Sequence, residues 1–173
     1  DTTNAVITST VNASNIETLS IAATGKNFVD ISAFNAITKL IVTNIGTVAA
    51  VVDATALKEL DASNNCGGVQ FDFTQAKTNL TISGGLGNDV IFSGQANDSV
   101  HLGAGNDRIV FAAGTINADD IVDGGEGTDI FAIVGDDIGL LNGAVHTGFE
   151  VLELTATKNS ASFDNTGSIV EKI

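Results

Sequence analysis

Residues 84–92 read Gly-Gly-Leu-Gly-Asn-Asp-Val-Ile-Phe, and this stretch decides the fold of the chain. It returns at residues 124–132 as Gly-Gly-Glu-Gly-Thr-Asp-Ile-Phe-Ala, and residues 102–110 read Leu-Gly-Ala-Gly-Asn-Asp-Arg-Ile-Val. The glycines let the backbone enter regions of positive φ and turn its carbonyls toward one point. The aspartate adds a hard, charged oxygen of the kind that Ca²⁺ takes as a ligand. The large apolar residue two places later is predicted to start a short strand and to point inward.

The copies keep one nine-residue phase over five blocks, at residues 84–92, 93–101, 102–110, 115–123 and 124–132. A four-residue insertion at 111–114 follows the third block, and the phase resumes after it. The aspartate position is filled by Asp89, Asp98, Asp107, Asp120 and Asp129, and the apolar position by Ile91, Val100, Ile109, Val122 and Phe131. Five blocks in phase indicate a repeat that is built into the fold.

This pattern resembles the calcium-binding nonapeptide of the RTX parallel β-roll family. Two nonapeptides complete one coil in that family, so alternate loops stack on the same edge. The resemblance implies a calcium ladder of loops 84–89, 102–107 and 124–129. Loops 93–98 and 115–120 would form a degenerate second edge, because they lack the paired glycines. The implied cofactor is Ca²⁺, and the residues predicted to contribute to metal binding are Gly85, Gly87, Asp89, Gly103, Gly105, Asp107, Asp120, Gly125, Gly127 and Asp129.

A second repeat, with a period of twenty or twenty-one residues, precedes these loops. Its central leucines are Leu19, Leu40, Leu60 and Leu80, and the same spacing returns once more at Phe149, Leu152 and Leu154. A period of this length predicts stacked coils. Leucine-rich repeats share it, but they need a helical segment between their strands. Residues 47–52 and 69–74 are instead rich in β-branched and alternating apolar residues, which favour strands.

The two repeats meet in phase, because Asn44, Asn64 and Gly84 each lie four residues after a leucine of the longer repeat. Asn at such corners tolerates the left-handed conformation. We therefore predict an all-β fold, in which a right-handed parallel β-helix with coils of about twenty residues continues into an RTX calcium β-roll. One continuous solenoid would comprise β-helix coils at 1–83, the calcium roll at 84–132, and a final coil and cap at 133–173.

The chain is acidic, and the charge is concentrated around the glycine loops. Its formal net charge is −14 over 173 residues, and residues 84–137 hold ten acidic residues against one basic residue, Arg108. This charge argues against nucleic acid or an anionic membrane as a partner. No apolar run approaches the ~18 residues that a membrane-spanning helix needs, so we expect no membrane insertion. Because neither an initiator Met nor a signal peptide is present, we expect a fragment of a longer protein.

The sequence carries no set of residues that predicts catalysis. His101 and His146 lack a second ligand at zinc spacing, and no Gly-x-Ser-x-Gly is present. The Gly-x-Gly pairs do not continue into a dinucleotide fingerprint. Neighbouring acids at 119–120 and 136–137 suit loops or calcium better than acid–base catalysis, since adjacent residues of a strand face opposite ways. The single cysteine, Cys66, permits no internal disulfide, so bound calcium is the expected staple of a small secreted fold.

The resemblance implies a protein that a type I system exports unfolded and that folds in external calcium. Without calcium, two stacked aspartates ~4 Å apart repel by about 1 kcal/mol in water and about 4 kcal/mol at an effective dielectric of 20. Asp107→Ala is therefore expected to be the most damaging aspartate change, because Asp107 lies in the middle loop. Asp98→Ala is expected to matter much less.

Three functions are compatible with this reading, and none of them is enzymatic for this segment. The first is a calcium-stabilised structural segment of a surface-layer (S-layer) protein on a Gram-negative cell, which would self-associate in a lattice through the parent protein. The composition, without Met and rich in Thr, Ala, Asn and Gly, resembles that of such lattice proteins. The alternatives are a calcium-dependent module of a large RTX adhesin, or the RTX tail of a type I-secreted enzyme or toxin.

Overall fold

The computed structural model describes residues 5–8, 16–31, 36–51 and 56–155. Within these ranges the chain forms sixteen β-strands and one 3₁₀ helix. The first eight strands are β1 (Ala5–Thr8), β2 (Thr18–Ala22), β3 (Lys26–Asp30), β4 (Lys39–Asn44), β5 (Thr47–Val51), β6 (Glu59–Asn65), β7 (Val69–Asp72) and β8 (Thr81–Gly85). The others are β9 (Val90–Phe92), β10 (Ser99–Gly105), β11 (Arg108–Val110), β12 (Ile121–Asp123), β13 (Glu126–Gly127), β14 (Ile130–Val134), β15 (Val145–Thr147) and β16 (Val151–Thr155), with the 3₁₀ helix at Gly135–Asn142. The described part of the chain holds no helix long and apolar enough to cross a bilayer.

Successive strands alternate between two parallel sheets. Sheet A has the spatial order β1-β3-β5-β7-β9-β11-β14-β16, and sheet B has the order β15-β12-β10-β8-β6-β4-β2, while β13 pairs with β10. Each coil therefore gives one strand to each sheet, and the chain winds into a β-solenoid of about six turns. The predicted all-β fold, a parallel β-helix with an RTX roll, is confirmed.

The core lies between the two sheets and takes every second residue of most strands. In β4, for example, Leu40 and Val42 are buried while their neighbours are less so. The column of sheet B that contains Leu40 runs Leu19, Leu40, Leu60, Ile82, Val100 and Val122, and sheet A adds Ile91, Ile109 and Phe131. The apolar positions of all five nonapeptide blocks are thus buried, as predicted.

Phenylalanines fill the core on the side of sheet A. The rings of Phe71 and Phe73 stack with centroids 5.7 Å apart. Phe131 lies 5.3 Å from Phe111 and meets Phe149 edge-on at 5.2 Å. Full burial of one such side chain contributes about 1.5–3 kcal/mol. These contacts tie the last glycine loop to the final coil.

Three details of the predicted register are wrong. Leu60 pairs with Ile82 and not with Leu80. The reason is an extra residue in β6, where the pairing with β4 is irregular, together with a longer turn after β7. The same irregularity places Asn44 opposite Asn65 rather than Asn64. The third error concerns Leu152, which lies in sheet A opposite Phe131 and not in the leucine column of sheet B.

Both sheets continue from the coils of the longer repeat into the nonapeptide coils and on to the last described strands. The division at residues 83/84 and 132/133 stays a prediction. The 3₁₀ helix and strands β15 and β16 form the described part of the predicted final coil, and its remainder, residues 156–173, lies outside the described residues.

Candidate metal centre

The glycine loops stack as the repeat predicts. Gly103 lies in register with Gly85, and Gly105 with Gly127. We term the edge formed by loops 84–89, 102–107 and 124–129 the glycine edge. Loops 93–98 and 115–120 lie together on the other side, where Asn117 donates a side-chain hydrogen bond to the Ala96 carbonyl. This second side is termed the polar edge.

One aspartate from each loop of the glycine edge forms a ladder of hydrogen bonds between coils. Asp107 Oδ1 accepts the Asp89 backbone N–H at 2.7 Å, and Asp129 Oδ1 accepts the Asp107 N–H at 2.7 Å. Asp89 Oδ1 accepts the Val69 N–H one coil earlier, also at 2.7 Å. Glu150 continues the pattern, since its Oε2 accepts the Asp129 N–H at 2.8 Å. Each carboxylate thus uses one oxygen to bind the preceding coil.

The second oxygen of these carboxylates differs between the loops. Asp89 Oδ2 accepts the Gly85 N–H at 2.8 Å. The Oδ2 atoms of Asp107 and Asp129 are buried and have no hydrogen-bond partner. Their loops place the equivalent glycines, Gly103 and Gly125, at φ 107° and 98°, whereas Gly85 lies outside the left-handed region. Two buried carboxylate oxygens therefore lack a partner within the described residues.

Glycine is required at these corners because neighbouring coils approach closely. A Cβ on Gly103 would run into the Gly85 carbonyl oxygen, and a Cβ on Gly125 into that of Gly103. A Cβ on Gly127 would meet the Gly105 oxygen in the same way. Backbone carbonyl oxygens at the second and fourth loop positions therefore line the space between the coils, next to the aspartates.

Burial makes these carboxylates unfavourable as bare anions. The pKa of Asp107 is raised to about 7, chiefly by burial; the backbone hydrogen bond from Asp89 lowers it, and the like charges of Asp89 and Asp129 contribute to the rise. Burial also raises the pKa of Asp89, to about 6. For Asp129 burial again raises the pKa, assisted by the like charges of Glu150 and Asp123. Desolvated, mutually repelling carboxylates are what a divalent cation would stabilise.

The donor set consists of carboxylate and carbonyl oxygens, which suit a hard cation such as calcium. Among the described residues, no three His, Cys, Asp or Glu side chains form a group that could hold a metal by themselves. Ca²⁺, in contrast, takes 6–8 oxygen ligands and accepts backbone carbonyls alongside carboxylates. The unpartnered oxygens of Asp107 and Asp129 and the carbonyls of the glycine loops would supply such ligands. The predicted contributions of Gly85, Gly87, Gly103, Gly105, Gly125 and Gly127 would be made through the backbone.

The polar edge satisfies its aspartates with protein groups. Asp98 Oδ1 accepts the Leu80 N–H at 3.1 Å, and its Oδ2 accepts the Ser93 hydroxyl at 2.6 Å and the Gly94 N–H at 3.0 Å. Asp120 accepts the Asp98 N–H through Oδ1 and the Asn117 N–H through Oδ2, both at 2.8 Å. Both oxygens of each carboxylate have partners here, so the metal role given to Asp120 stays a prediction without support from the geometry.

Two residues in the coils next to the glycine edge continue its pattern but are not among the residues predicted to contribute to metal binding. Glu150 occupies the aspartate position of the final coil, but no glycine pair precedes it in the sequence. Asn65 occupies a corner one coil before the first glycine loop and is fully buried. Cys66, beside it, is an exposed free thiol. A sequence signal existed only for Glu150, which lies 21 residues after Asp129 and directly before a strand.

The comparison with known families agrees with this geometry. Residues 81–114 and 117–131 match the family model of the RTX calcium-binding nonapeptide repeat (4 copies). No curated protein and no solved structure matches the chain. The fold and the site define a calcium-binding β-solenoid, which is a structural fold rather than a catalytic one. The matched residues carry repeats of the RTX calcium-binding type, which support a calcium-binding role for this part of the chain.

Proposed function

We propose that this module is a calcium-stabilised structural segment of a secreted surface-layer protein, which folds and assembles in extracellular calcium. The observation that carries the proposal is the pair of buried, unpartnered oxygens on Asp107 and Asp129 inside a continuous stack of coils. A fold that leaves these groups without partners needs a cation to be complete. We infer two bound ions, one associated with each unpartnered oxygen.

Electrostatics explain why calcium would favour the folded state of this segment. At low calcium the aspartate ladder holds desolvated like charges between coils, which opposes folding. At high calcium, binding to the folded state alone adds RT ln(1 + [Ca]/Kd), about 2.7 kcal/mol per site at a hundredfold excess over Kd. Because calcium is scarce inside cells and plentiful outside, such a protein would stay loose until secreted, as export by a type I system requires.

Assembly into a lattice follows from shape and charge. A solenoid presents flat sheet faces and open ends, through which the parent protein could contact its neighbours. The formal charge of −14 would keep molecules apart in the absence of calcium, and calcium would neutralise or bridge the carboxylates. The surface-layer role is favoured over an adhesin or an enzyme tail because coils of the longer repeat share both sheets with the glycine loops.

Electron microscopy of the full-length parent protein with and without calcium tests this function. The expected result is a two-dimensional lattice in millimolar calcium that disperses on chelation. Monomers that persist at high calcium and bind a host cell or glycan would show an adhesin instead. A parent chain with a catalytic domain and no ordered array would show an RTX tail. The isolated segment should stay monomeric in either case, since it lacks the other lattice contacts.

A further inference from the structure

The coil before the first glycine loop has a corner at Asn65 that contains no aspartate, yet the Asn65 side chain has hydrogen-bond partners for both its nitrogen and its oxygen. Asn65 ends β6, one coil before the first glycine loop, and is 0% exposed. Its carbonyl accepts the Leu86 N–H at 2.8 Å, and the carbonyl oxygen lies where a Cβ on Gly85 would be. Asn65 is therefore the direct neighbour of the calcium loops on the side of the N-terminus.

The side-chain amide of Asn65 makes four hydrogen bonds. Its Nδ2 donates to the carbonyls of Asn44 at 3.0 Å and Gly46 at 2.9 Å, both in the preceding coil. Its Oδ1 accepts the N–H groups of Gly67 at 3.0 Å and Gly68 at 2.9 Å, within its own turn. The orientation of the amide is fixed by chemistry, because only its NH₂ group can face two carbonyls.

The two carbonyls under this amide are the counterparts of carbonyls in the calcium loops. Asn44 pairs with Asn65, and Asn65 stacks on Gly85, the second residue of the first glycine loop. The Asn44 carbonyl therefore corresponds to the carbonyl at the second position of a glycine loop. In the same way, Gly46 stacks on Gly67, and Gly67 stacks on Gly87, the fourth residue of that loop. The Gly46 carbonyl therefore corresponds to the carbonyl at the fourth position of a glycine loop. In the next coils these positions belong to glycines, which have no side chain to fill the space above the carbonyls.

We propose that the Asn65 amide nitrogen takes the place that a calcium ion would hold in the following coils, and that it ends the row of metal sites on the side of the N-terminus. An NH₂ group offers two hydrogens to two carbonyls without needing a cation. Asp89, the aspartate next along the edge, agrees with this, because its Oδ2 is already occupied by the Gly85 N–H. The inference rests on calcium binding by the glycine loops, and it names the residue that limits how many ions bind.

Replacing the amide by a carboxylate should reopen the site. In Asn65→Asp, an oxygen would face the carbonyls of Asn44 and Gly46, and three oxygens repel unless a cation lies between them. Asn64→Asp is the matched control: it makes the same change one residue earlier, where the side chain is exposed and makes only a 3.5 Å contact with Ser63 Oγ.

The experiment measures thermal unfolding and calcium stoichiometry for the wild type and both variants of the full chain, in chelator and across a calcium titration. Asn65→Asp should melt below the wild type in chelator, recover in calcium, and bind one ion more than the wild type. Asn64→Asp should match the wild type in all three respects. Failure of calcium to rescue Asn65→Asp, or an unchanged stoichiometry, would overturn the inference.

A measurement on the wild type tests the same inference if the Asn65→Asp variant does not fold. The Asn65 Nδ2 hydrogens should exchange slowly with solvent at saturating calcium, and their NMR signals should not move as calcium is varied above saturation of the other sites. Rapid exchange of these hydrogens would also overturn the inference. If the wild type itself gains no stability from calcium, the proposed function fails instead, which separates the two outcomes.

Discussion

Both edges of the solenoid bury aspartate carboxylates between coils, but the two edges differ in the partners of the carboxylate oxygens. On both edges a buried aspartate uses Oδ1 to accept a backbone N–H from the coil before it. On the polar edge the second oxygens of Asp98 and Asp120 also accept protein hydrogen bonds. On the glycine edge those of Asp107 and Asp129 do not. Protein groups therefore satisfy the aspartates of the polar edge, whereas the glycine edge leaves two carboxylate oxygens that calcium would bind.

The difference comes from the residues at the start of each loop. Ser93 and Asn117 place a hydroxyl or an N–H within reach of the polar-edge carboxylates. Glycines at positive φ in loops 102–107 and 124–129 leave their aspartates without such a donor. In these two loops a glycine at positive φ is thus both a turn former and the reason that a carboxylate oxygen remains available to a metal.

Asp107→Ala should cause the largest change in the response to calcium. Asp107 lies in the middle loop of the glycine edge, so its loss should affect both inferred sites, each worth about 2.7 kcal/mol at a hundredfold excess of calcium over Kd. Thermal unfolding across a calcium titration should show most of the calcium-dependent gain removed. A gain equal to that of the wild type would show that the ladder does not hold the ions.

Asp98→Ala should destabilise the fold to the same extent in calcium and in chelator. It leaves the Leu80 and Gly94 N–H groups and the Ser93 hydroxyl without their acceptor, at a combined cost of about 3 kcal/mol. The hydrogen bonds therefore change the expectation that this variant is mild. Denaturant unfolding at both calcium levels measures it, and a loss confined to calcium-loaded protein would assign a metal to the polar edge.

Gly125→Ala tests the close approach of coils against a control that has none. Both Gly125 and Gly114 have positive φ, but a Cβ on Gly125 meets the Gly103 carbonyl, while a Cβ on Gly114 has nothing within 4 Å. Gly125→Ala should unfold more easily than Gly114→Ala by about 2 kcal/mol, the typical cost of overpacking. Equal melting temperatures would mean that the coils are further apart than described.

The dependence of stability on pH should be smaller in calcium than in chelator. Asp107 has a pKa of about 7 in the folded state, above its ordinary value of 3.8, so the folded state binds this proton more tightly. In chelator, this group therefore contributes stability at low pH that is lost as the pH rises from about 4 to about 7. In saturating calcium the cation holds the ionised form, so this loss should shrink, and the stability gained from calcium should grow as the pH rises over the same window. Unfolding free energies of the wild type and Asp107→Asn test this, and the variant should show the smaller dependence in chelator.

The sequence allowed the glycine edge to be predicted because a nine-residue period fixes both the aspartate and the buried residue after it. Val100 and Ile109, for example, follow from the phase alone. The longer coils were harder, because their spacing varies: the paired residues Leu19, Leu40, Leu60 and Ile82 lie 21, 20 and 22 residues apart in turn. An added residue in β6 shifted the predicted pairing of Asn64, and together with a longer turn after β7 it shifted that of Leu80.

The nine-residue pattern could not predict which aspartate Oδ2 atoms would lack a hydrogen-bond partner. Asp89, Asp107 and Asp129 stand in the same position of the same motif, yet only Asp89 has its second oxygen occupied. The cause is the backbone conformation at Gly85, Gly103 and Gly125, and glycine permits either choice. Asn65 was missed for a related reason, since its role depends on carbonyls that lie about twenty residues away.

The most direct test of a calcium-binding glycine edge is an anomalous-scattering map from crystals in which strontium replaces calcium. We expect one peak beside Asp107 and one beside Asp129, between the stacked glycine loops, and none beside Asp98 or Asp120. No peak beside Asn65 is expected in the wild type. Peaks on the polar edge, or the absence of peaks from the glycine edge at saturating strontium, would contradict the account.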